Sequence, residues 1–183
     1  MELITERLIL RDFVEDDWPA VLAYQSDPRY LRLYEWESRD EASVRDFVGM
    51  FLEHQRQRPR TRFQLAVTLK DDHRPDGGRL IGNAGIRLPA SGSHVAEIGY
   101  ELDPDQWGRG YATEAMRAVV RFGFEELGVH RIEADTVADN TASARVLEKL
   151  GLTLEGRLRD KRCYKGRYWD VLLYGMVREG ADR

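Results

Sequence analysis

The chain has 183 residues, of which 42% are hydrophobic and 33% charged, a balance that excludes collagen-like, low-complexity and disordered proteins. At roughly 150 residues per domain, this length predicts one domain that buries its own core. The formal net charge of −4 argues against an electrostatic footprint for DNA over the whole protein.

Cysteine content and terminal sequence bear on the compartment. The single cysteine, Cys163, cannot form a disulfide within the chain, which favours a reducing compartment. The N-terminus lacks the pattern of a secretory signal. The apolar run at residues 171–177 is far shorter than the ~20 residues that span a bilayer. We therefore expect a cytoplasmic protein with no membrane partner. The four histidines show no metal-ligand spacing, so no metal is expected either.

The first quarter of the chain predicts a strand and two helices. Residues 3–13 alternate in hydrophobicity and predict one strand. A helix is expected from Trp18 to about Ser26, with a proline in its first turn. Ser38 and Glu41 form a capping-box pattern for the second helix. Its apolar residues make one stripe, namely Val44, Phe47, Val48, Phe51 and Leu52.

The middle of the chain changes to a strand period. Residues 63–69, 79–88 and 95–102 each predict a strand, and the linking segments 70–78 and 89–93 are rich in turn residues. Three strands in succession, joined by loops, indicate an antiparallel meander.

Helical and strand patterns alternate in the last part of the chain. An amphipathic helix follows Gln106 and is expected to end at Gly128, and residues 131–137 predict a strand. Asn140 is the expected N-cap of a short helix that ends at Gly151. The last two strands are predicted at residues 152–159 and 169–177. This order predicts an α/β (mixed α+β) fold with a central, twisted, mostly antiparallel sheet flanked by helices.

A turn with two glycines, Gly108 and Gly110, joins a predicted strand directly to a helix. Glycine lets a ligand approach the backbone closely, and a helix N-terminus offers unpaired N–H groups and partial positive charge to a phosphate. Arg109 adds a cation. A tight turn without a ligand explains the same glycines about equally well. The turn fits neither of two common phosphate-binding motifs. Thr113 stands where a dinucleotide-binding motif has its third glycine, and the lysine of a P-loop does not follow at the required spacing.

Three segments resemble motifs of the GNAT N-acetyltransferase superfamily. Residues 98–115 resemble its acetyl-CoA motif, residues 140–151 its second motif and residues 5–11 its opening strand. Together they resemble the ribosomal-protein (RimJ/RimL-type) subgroup, which acetylates protein N-termini. The resemblance implies a single acetyltransferase domain over residues 1–183. The acceptor-side helices would lie within residues 3–102, and the acetyl-CoA motifs and final hairpin within residues 103–178.

The resemblance also implies which residues bind acetyl-CoA. Backbone amides of the glycine turn would hold the pyrophosphate, and the pantetheine arm would pair like an extra strand with residues 100–102, where this strand diverges from residues 131–137. Trp107 departs from the Gln or Arg that the superfamily has at this position. The implied cofactor-binding residues are Tyr100, Leu102, Trp107, Gly108, Arg109, Gly110, Tyr111, Ala112, Thr113, Asn140 and Ser143.

Four residues have both a structural and a chemical interpretation. Helix capping alone explains Asn140, although the resemblance adds a hold on the cofactor arm. Ser143 is either an ordinary first-turn residue or, by resemblance, a proton donor to the departing thiolate. Glu97 and Glu101 share one face of a strand. Glu97 matches the base of some lysine-acetylating relatives and is equally well a solvated carboxylate, which is the preferred interpretation of Glu101.

The implied reaction is the direct attack of a neutral primary amine on the thioester, with a backbone N–H stabilising the oxyanion. An α-amine, with a pKa of about 7.7–8.0, needs a weaker base than a lysine at about 10.4. The acceptor that the resemblance implies is a protein or peptide N-terminus, and the lower pKa of an α-amine agrees with it. A small amine, or a non-catalytic acyl-CoA-binding module, remains an alternative, and a homodimer stays open. Four aromatic residues are expected to pack the first helices or to line an acceptor pocket, namely Tyr24, Tyr30, Tyr34 and Trp36.

Overall fold

The computed structural model describes residues 1–70 and 78–178, where eight strands form one sheet flanked by five α-helices. The strands are β1 (Glu2–Ile4), β2 (Leu8–Asp12), β3 (Arg62–Leu69), β4 (Leu80–Arg87), β5 (Val95–Leu102), β6 (Arg131–Val137), β7 (Thr153–Tyr164) and β8 (Arg167–Val177). The helices are α1 (Trp18–Gln25), α2 (Pro28–Leu31), α3 (Glu41–Arg56), α4 (Tyr111–Glu125) and α5 (Thr141–Lys149). Most of the turn predicted at residues 70–78 lies outside the described residues.

The sheet has the strand order β1-β2-β3-β4-β5-β6-β8-β7. All neighbouring strands are antiparallel except β5 and β6, which are parallel. The prediction of a mixed, mostly antiparallel sheet is therefore confirmed, and the meander lies in β3, β4 and β5. In the described part of the chain, no helix is long and apolar enough to cross a membrane.

Helices cover both faces of the sheet, because side chains along a strand alternate between faces. In β3, Leu65 and Val67 join the core cluster that contains Met116 of α4. Ala66, between them, joins the second cluster with Val44 of α3. Thus α4 and α5 pack on one face, and α1 and α3 on the other.

The single strand predicted at residues 3–13 is wrong, because the structure divides it into the hairpin β1–β2. The Thr5 backbone N–H donates to the Leu8 carbonyl at 3.0 Å, and the Leu8 N–H donates to the Thr5 hydroxyl at 3.0 Å. These bonds close a turn within a segment that keeps its alternating pattern. Hydrophobic period alone does not detect such a turn.

The predicted cap of α3 is also wrong, since Asp40 rather than Ser38 occupies the N-cap position. The Ser43 backbone N–H donates to Asp40 Oδ1 at 2.8 Å, and the Asp40 N–H donates to Ser43 Oγ at 3.1 Å. Hydrogen bonds of the Ser43 backbone and side chain lower the pKa of the Asp40 carboxyl. Ser and Asp both cap helices well, so two candidates two residues apart compete in the sequence.

The final hairpin is longer than predicted. β7 and β8 continue to a two-residue turn at Lys165 and Gly166, whose φ angles of 52° and 69° suit tight hairpins. The extension brings the tip to the loop after the short helix α2, where the Tyr164 hydroxyl donates to the Leu33 carbonyl at 3.0 Å. This contact makes the hairpin one wall of the candidate site.

Candidate active site

A gap opens in the middle of the sheet where β5 and β6, the only parallel pair among the described strands, separate. The ladder between β5 and β6 joins residues Val95–Glu97 to Arg131–Glu133 and extends no further in the described sheet. Beyond it, β5 stays paired with β4 and β6 with β8. One backbone edge of β5 therefore faces the gap and can accept an extended ligand by strand addition.

The glycine turn, residues 107–110, leads from the end of β5 into α4. Gly108 and Gly110 have φ angles of 76° and 82°, a left-handed conformation that other residues adopt at a cost. Gly110 is the N-cap of α4, so the first N–H groups of this helix begin directly after the turn. The Trp107 indole N–H donates to the Leu102 carbonyl at 2.9 Å. Trp107 thereby ties the turn to the end of β5.

Two cavities meet at the gap. The first, about 330 Å³, lies at the N-terminal ends of α4 and α5, and we call it the helix cavity. The second, about 630 Å³, lies between the loop after α2 and the β7–β8 hairpin, and we call it the hairpin cavity. Both are lined by Leu33, Tyr34, Tyr100, Asn140 and Ser143. Two ligands can therefore approach each other at this shared wall.

The structure brings nearly all predicted cofactor-binding residues together in the helix cavity. Its wall includes Tyr100, Leu102, Trp107, Gly108, Gly110, Tyr111, Ala112, Thr113, Asn140 and Ser143. Arg109 does not line this cavity, and its backbone carbonyl accepts a hydrogen bond from Arg7 Nη1 at 3.0 Å.

Tyr100 and Ser143 form a hydrogen-bonded pair at the junction of the cavities. The Tyr100 hydroxyl lies 2.8 Å from Ser143 Oγ and 3.2 Å from the Ser143 carbonyl. The Ser143 N–H donates to Asn140 Oδ1 at 3.1 Å, which confirms Asn140 as the cap of α5. Burial raises the pKa of Tyr100 to about 12, although its bond to Ser143 opposes the shift. Tyr100 is therefore a neutral phenol at physiological pH.

Glu97 lines the hairpin cavity beside the gap. Its carboxylate pairs with the Arg87 guanidinium, whose Nε lies 3.0 Å from Oε2. The side chain is 42% exposed, so water reaches it. A carboxylate in this position can accept a proton through a water molecule.

Glu101, by contrast, is not the solvated carboxylate that the sequence favoured. Its Oε2 accepts hydrogen bonds from the Tyr24 hydroxyl at 3.2 Å, from Gln25 Nε2 at 3.0 Å and from Asn83 Nδ2 at 3.0 Å. Burial raises its pKa, and these donors oppose the shift. The expectation is wrong because Tyr24 and Gln25 of α1, far away in sequence, reach this carboxyl and hydrogen-bond to it.

The cluster of aromatic side chains packs partly in the core and partly along the two cavities. Tyr24 and Tyr30 are buried in the core cluster beneath α3. Tyr30 stacks on Tyr34 at 4.2 Å, and Tyr34 stacks on Trp36 at 5.1 Å between ring centres. Tyr34 lines both cavities and Trp36 the hairpin cavity, so one end of the stack reaches the site.

Sequence reasoning missed several charged residues of the site. Asp135 and Arg162 line the hairpin cavity and form an ion pair of 2.6 Å. Three cations line the helix cavity, namely Arg32, Arg145 and Lys149. The last two are four residues apart on α5, a spacing that puts side chains on one helix face and that the sequence does display.

Comparisons with known proteins agree on the nature of the chain. A family model described as an acetyltransferase (GNAT) domain matches residues 7–153. The uncharacterized N-acetyltransferase p20 of Bacillus licheniformis is 32% identical, and the match covers 96% of each chain. The ribosomal protein uS5-alanine N-acetyltransferase of Escherichia coli is 28% identical over 97% of this chain and 91% of its own. A crystal structure of a GNAT-family acetyltransferase from Bacillus anthracis has a TM-score of 0.81 at 30% identity, covering 97% and 98% of the two chains.

Proposed function

Since this chain belongs to the GNAT acetyltransferase family and is an acetyl-CoA-dependent N-acetyltransferase, we propose that it acetylates the N-terminal α-amine of a protein or peptide. The observation that carries the proposal is the meeting of two cavities at Tyr100, Asn140 and Ser143. A bound coenzyme and a bound amine would have their reacting ends at this junction.

The helix cavity suits the coenzyme. The N–H groups at the start of α4 follow directly after the glycine turn and suit a pyrophosphate, and the edge of β5 that faces the gap suits the amides of a pantetheine arm. Arg32, Arg145 and Lys149 on the cavity wall suit its phosphates. Acetyl-CoA supplies the acetyl group as an activated thioester.

The hairpin cavity suits the end of a polypeptide. Its volume of about 630 Å³ lies within the usual range of ligand sites. An α-amine with a pKa near 8 is partly neutral at physiological pH, so it needs only a weak base. Glu97, exposed and paired with Arg87, is suited to that modest task through water. The relative from Escherichia coli is named for an alanine of ribosomal protein uS5, which also supports an N-terminal acceptor.

The residues at the junction have complementary roles in the proposed reaction. The attacking amine loses one proton to water or to Glu97. The departing sulfur gains one proton from the Ser143 hydroxyl, which takes its replacement from water, so that overall one proton moves from the amine to the sulfur. The Tyr100 hydroxyl lies 2.8 Å from Ser143 Oγ, and as a neutral phenol it can donate a hydrogen bond to that oxygen and so support the transfer. Asn140 Oδ1 accepts a hydrogen bond from the Ser143 N–H and so caps the start of α5. A free N–H of β5 would stabilise the oxyanion.

Acetylation of matched peptides tests the acceptor. One peptide has a free N-terminal alanine and no lysine, the second has a blocked N-terminus and one lysine, and the third acceptor is a small primary amine. Mass spectrometry should find one added acetyl group on the first peptide at the highest rate. A clear preference for lysine or for the small amine would contradict the proposal, and coenzyme binding without any transfer would indicate a non-catalytic module.

A further inference from the structure

We infer that Arg7, in the turn between β1 and β2, is a positioning residue for the glycine turn and neutralises Glu114 where the coenzyme pyrophosphate binds. This inference rests on the proposed function, because it concerns coenzyme binding. It makes the N-terminal hairpin, which forms no part of either cavity wall, a determinant of affinity for acetyl-CoA.

The first contact fixes the orientation of a peptide group in the turn. Arg7 Nη1 donates to the Arg109 carbonyl at 3.0 Å. In a trans peptide the carbonyl of one residue and the N–H of the next point in opposite directions. Holding the Arg109 carbonyl toward Arg7 therefore directs the Gly110 N–H away from it. The Arg7 guanidinium also lies 4.6 Å from the centre of the Tyr111 ring, so it holds the residues on both sides of Gly110.

The second contact concerns charge. Glu114 lies in the first turn of α4, where its N–H donates to the Gly110 carbonyl at 3.0 Å. A carboxylate there stabilises the helix through its dipole. The same helix end is where an anionic ligand binds, so the carboxylate and a pyrophosphate repel each other.

The β1–β2 turn compensates this carboxylate. Glu114 accepts hydrogen bonds from the Thr5 hydroxyl at 2.6 Å, from the Arg7 N–H at 2.8 Å and from Arg7 Nε at 2.6 Å. Arg7 Nη2 completes the pair at 2.6 Å from Oε2, and the Glu114 side chain is only 15% exposed. Without Arg7, a negative charge with little access to water would remain one helical turn from the pyrophosphate.

Charge compensation and simple scaffolding predict different outcomes in a double-mutant cycle. The dissociation constant for CoA is measured by calorimetry for the wild type, Arg7→Gln, Glu114→Gln and the double variant. We expect Arg7→Gln to weaken binding about tenfold, as for the loss of one partner of a charge pair. Glu114→Gln should bind CoA at least as tightly as the wild type. The double variant should recover most of the loss.

Two further measurements separate this role from general stability. Glu6→Gln removes a neighbouring exposed acid of the same turn and should leave CoA affinity unchanged. The Michaelis constant for S-acetylpantetheine, which lacks the phosphates, should not rise in Arg7→Gln.

The outcomes are distinct. A wild type that binds no CoA overturns the proposed function itself. If the wild type binds and Arg7→Gln binds equally well, Arg7 has no positioning role. If the double variant binds CoA as weakly as Arg7→Gln, charge compensation is contradicted. Weaker CoA binding by Glu114→Gln than by the wild type also contradicts it, and this measurement can be made even if Arg7→Gln does not fold.

Discussion

Among single residues, Gly110 combines a left-handed backbone angle with a place in the wall of the proposed coenzyme site. We expect Gly110→Val to weaken acetyl-CoA binding by about tenfold or more, because valine disfavours the left-handed backbone angle and its Cβ would lie 3.5 Å from Arg7 Nη2, so the N–H groups of the turn would change direction. The left-handed φ of 82° also costs a valine roughly 1–2 kcal/mol of folding free energy. Isothermal titration and urea unfolding measure the two effects separately.

A matched control is available at Gly92, an exposed loop residue with a φ of 77° and open space around an added side chain. Gly92→Val should lose a similar amount of stability and bind acetyl-CoA normally. Equal loss of binding in both variants would mean that the effect of Gly110→Val is only strain.

The pair of Tyr100 and Ser143 predicts a non-additive pattern of rates. Ser143→Ala should lower kcat by roughly 10² if its hydroxyl is the proton donor, with little change in KM for acetyl-CoA. Tyr100→Phe should lower kcat less, and should have no further effect once Ser143 is alanine. Steady-state kinetics of both single variants and the double variant measure this.

The pH profile adds a second readout for Tyr100. With its pKa near 12, this phenol stays protonated between pH 6 and pH 9, so Tyr100→Phe should leave the shape of the profile unchanged. Independent, additive losses from the two substitutions would contradict a shared role.

How far the sequence predicts the site depends on whether a residue acts through local structure. Asn140 is predictable because a cap interacts with its own helix. The environment of Glu101 is not, because Tyr24 and Gln25 approach it from α1. The contact of Arg7 with Glu114 likewise joins residues more than 100 positions apart. Long-range contacts leave no local pattern in one sequence.

Among the helices, α3 offers a direct test of which residue caps it. Asp40→Ala should lower the midpoint of urea unfolding, because the N–H of Ser43 loses its acceptor. Ser38→Ala should leave the midpoint unchanged, since Ser38 precedes the helix. Chemical unfolding of the two variants side by side measures the difference. A larger effect at Ser38 would contradict the observed helix start.

Elements with a strong, uninterrupted period are the ones that the sequence predicts well. β5 and β6 begin and end where expected, at Val95–Leu102 and Arg131–Val137. The turn at Thr5 and the extension of β7 beyond residue 159 differ from the prediction, because backbone conformation and side-chain hydrogen bonds decide them. A residue such as Lys165 in the left-handed region carries no distinct sequence signal.

For the molecule as a whole, ion pairs predict acid sensitivity. Partial burial pushes the pKa of Asp12 upward, but Arg60 and the N-terminal ammonium hold it below its ordinary value of 3.8. For Glu114, burial is likewise outweighed by Thr5 and Arg7, so its pKa is also lowered. A carboxyl with a lowered pKa in the folded state stabilises the fold above its unfolded pKa, and this stability is lost as pH falls through the folded value.

Thermal unfolding between pH 7 and pH 3 measures this effect. The Tm should fall once the pH drops below about 4, and Asp12→Asn should make the fall shallower. Glu101 has the opposite sign, because its raised pKa favours the folded state as the carboxyl becomes protonated. A Tm that rises on acidification would mean that Glu101 outweighs the ion pairs.

The short ladder between β5 and β6 has a consequence for the lifetime of the protein. Three residue pairs join the two halves of the described sheet, so the coenzyme arm, bound as proposed along β5, would connect them further. At about 100 times its Kd, a ligand adds about 2.7 kcal/mol to stability by mass action. Backbone amide hydrogens of both β5 and β6 should then exchange with solvent more slowly than in the protein without coenzyme. Enzyme molecules without bound coenzyme would unfold and be degraded sooner. The abundance of this enzyme would thus follow the acetyl-CoA supply of the cell.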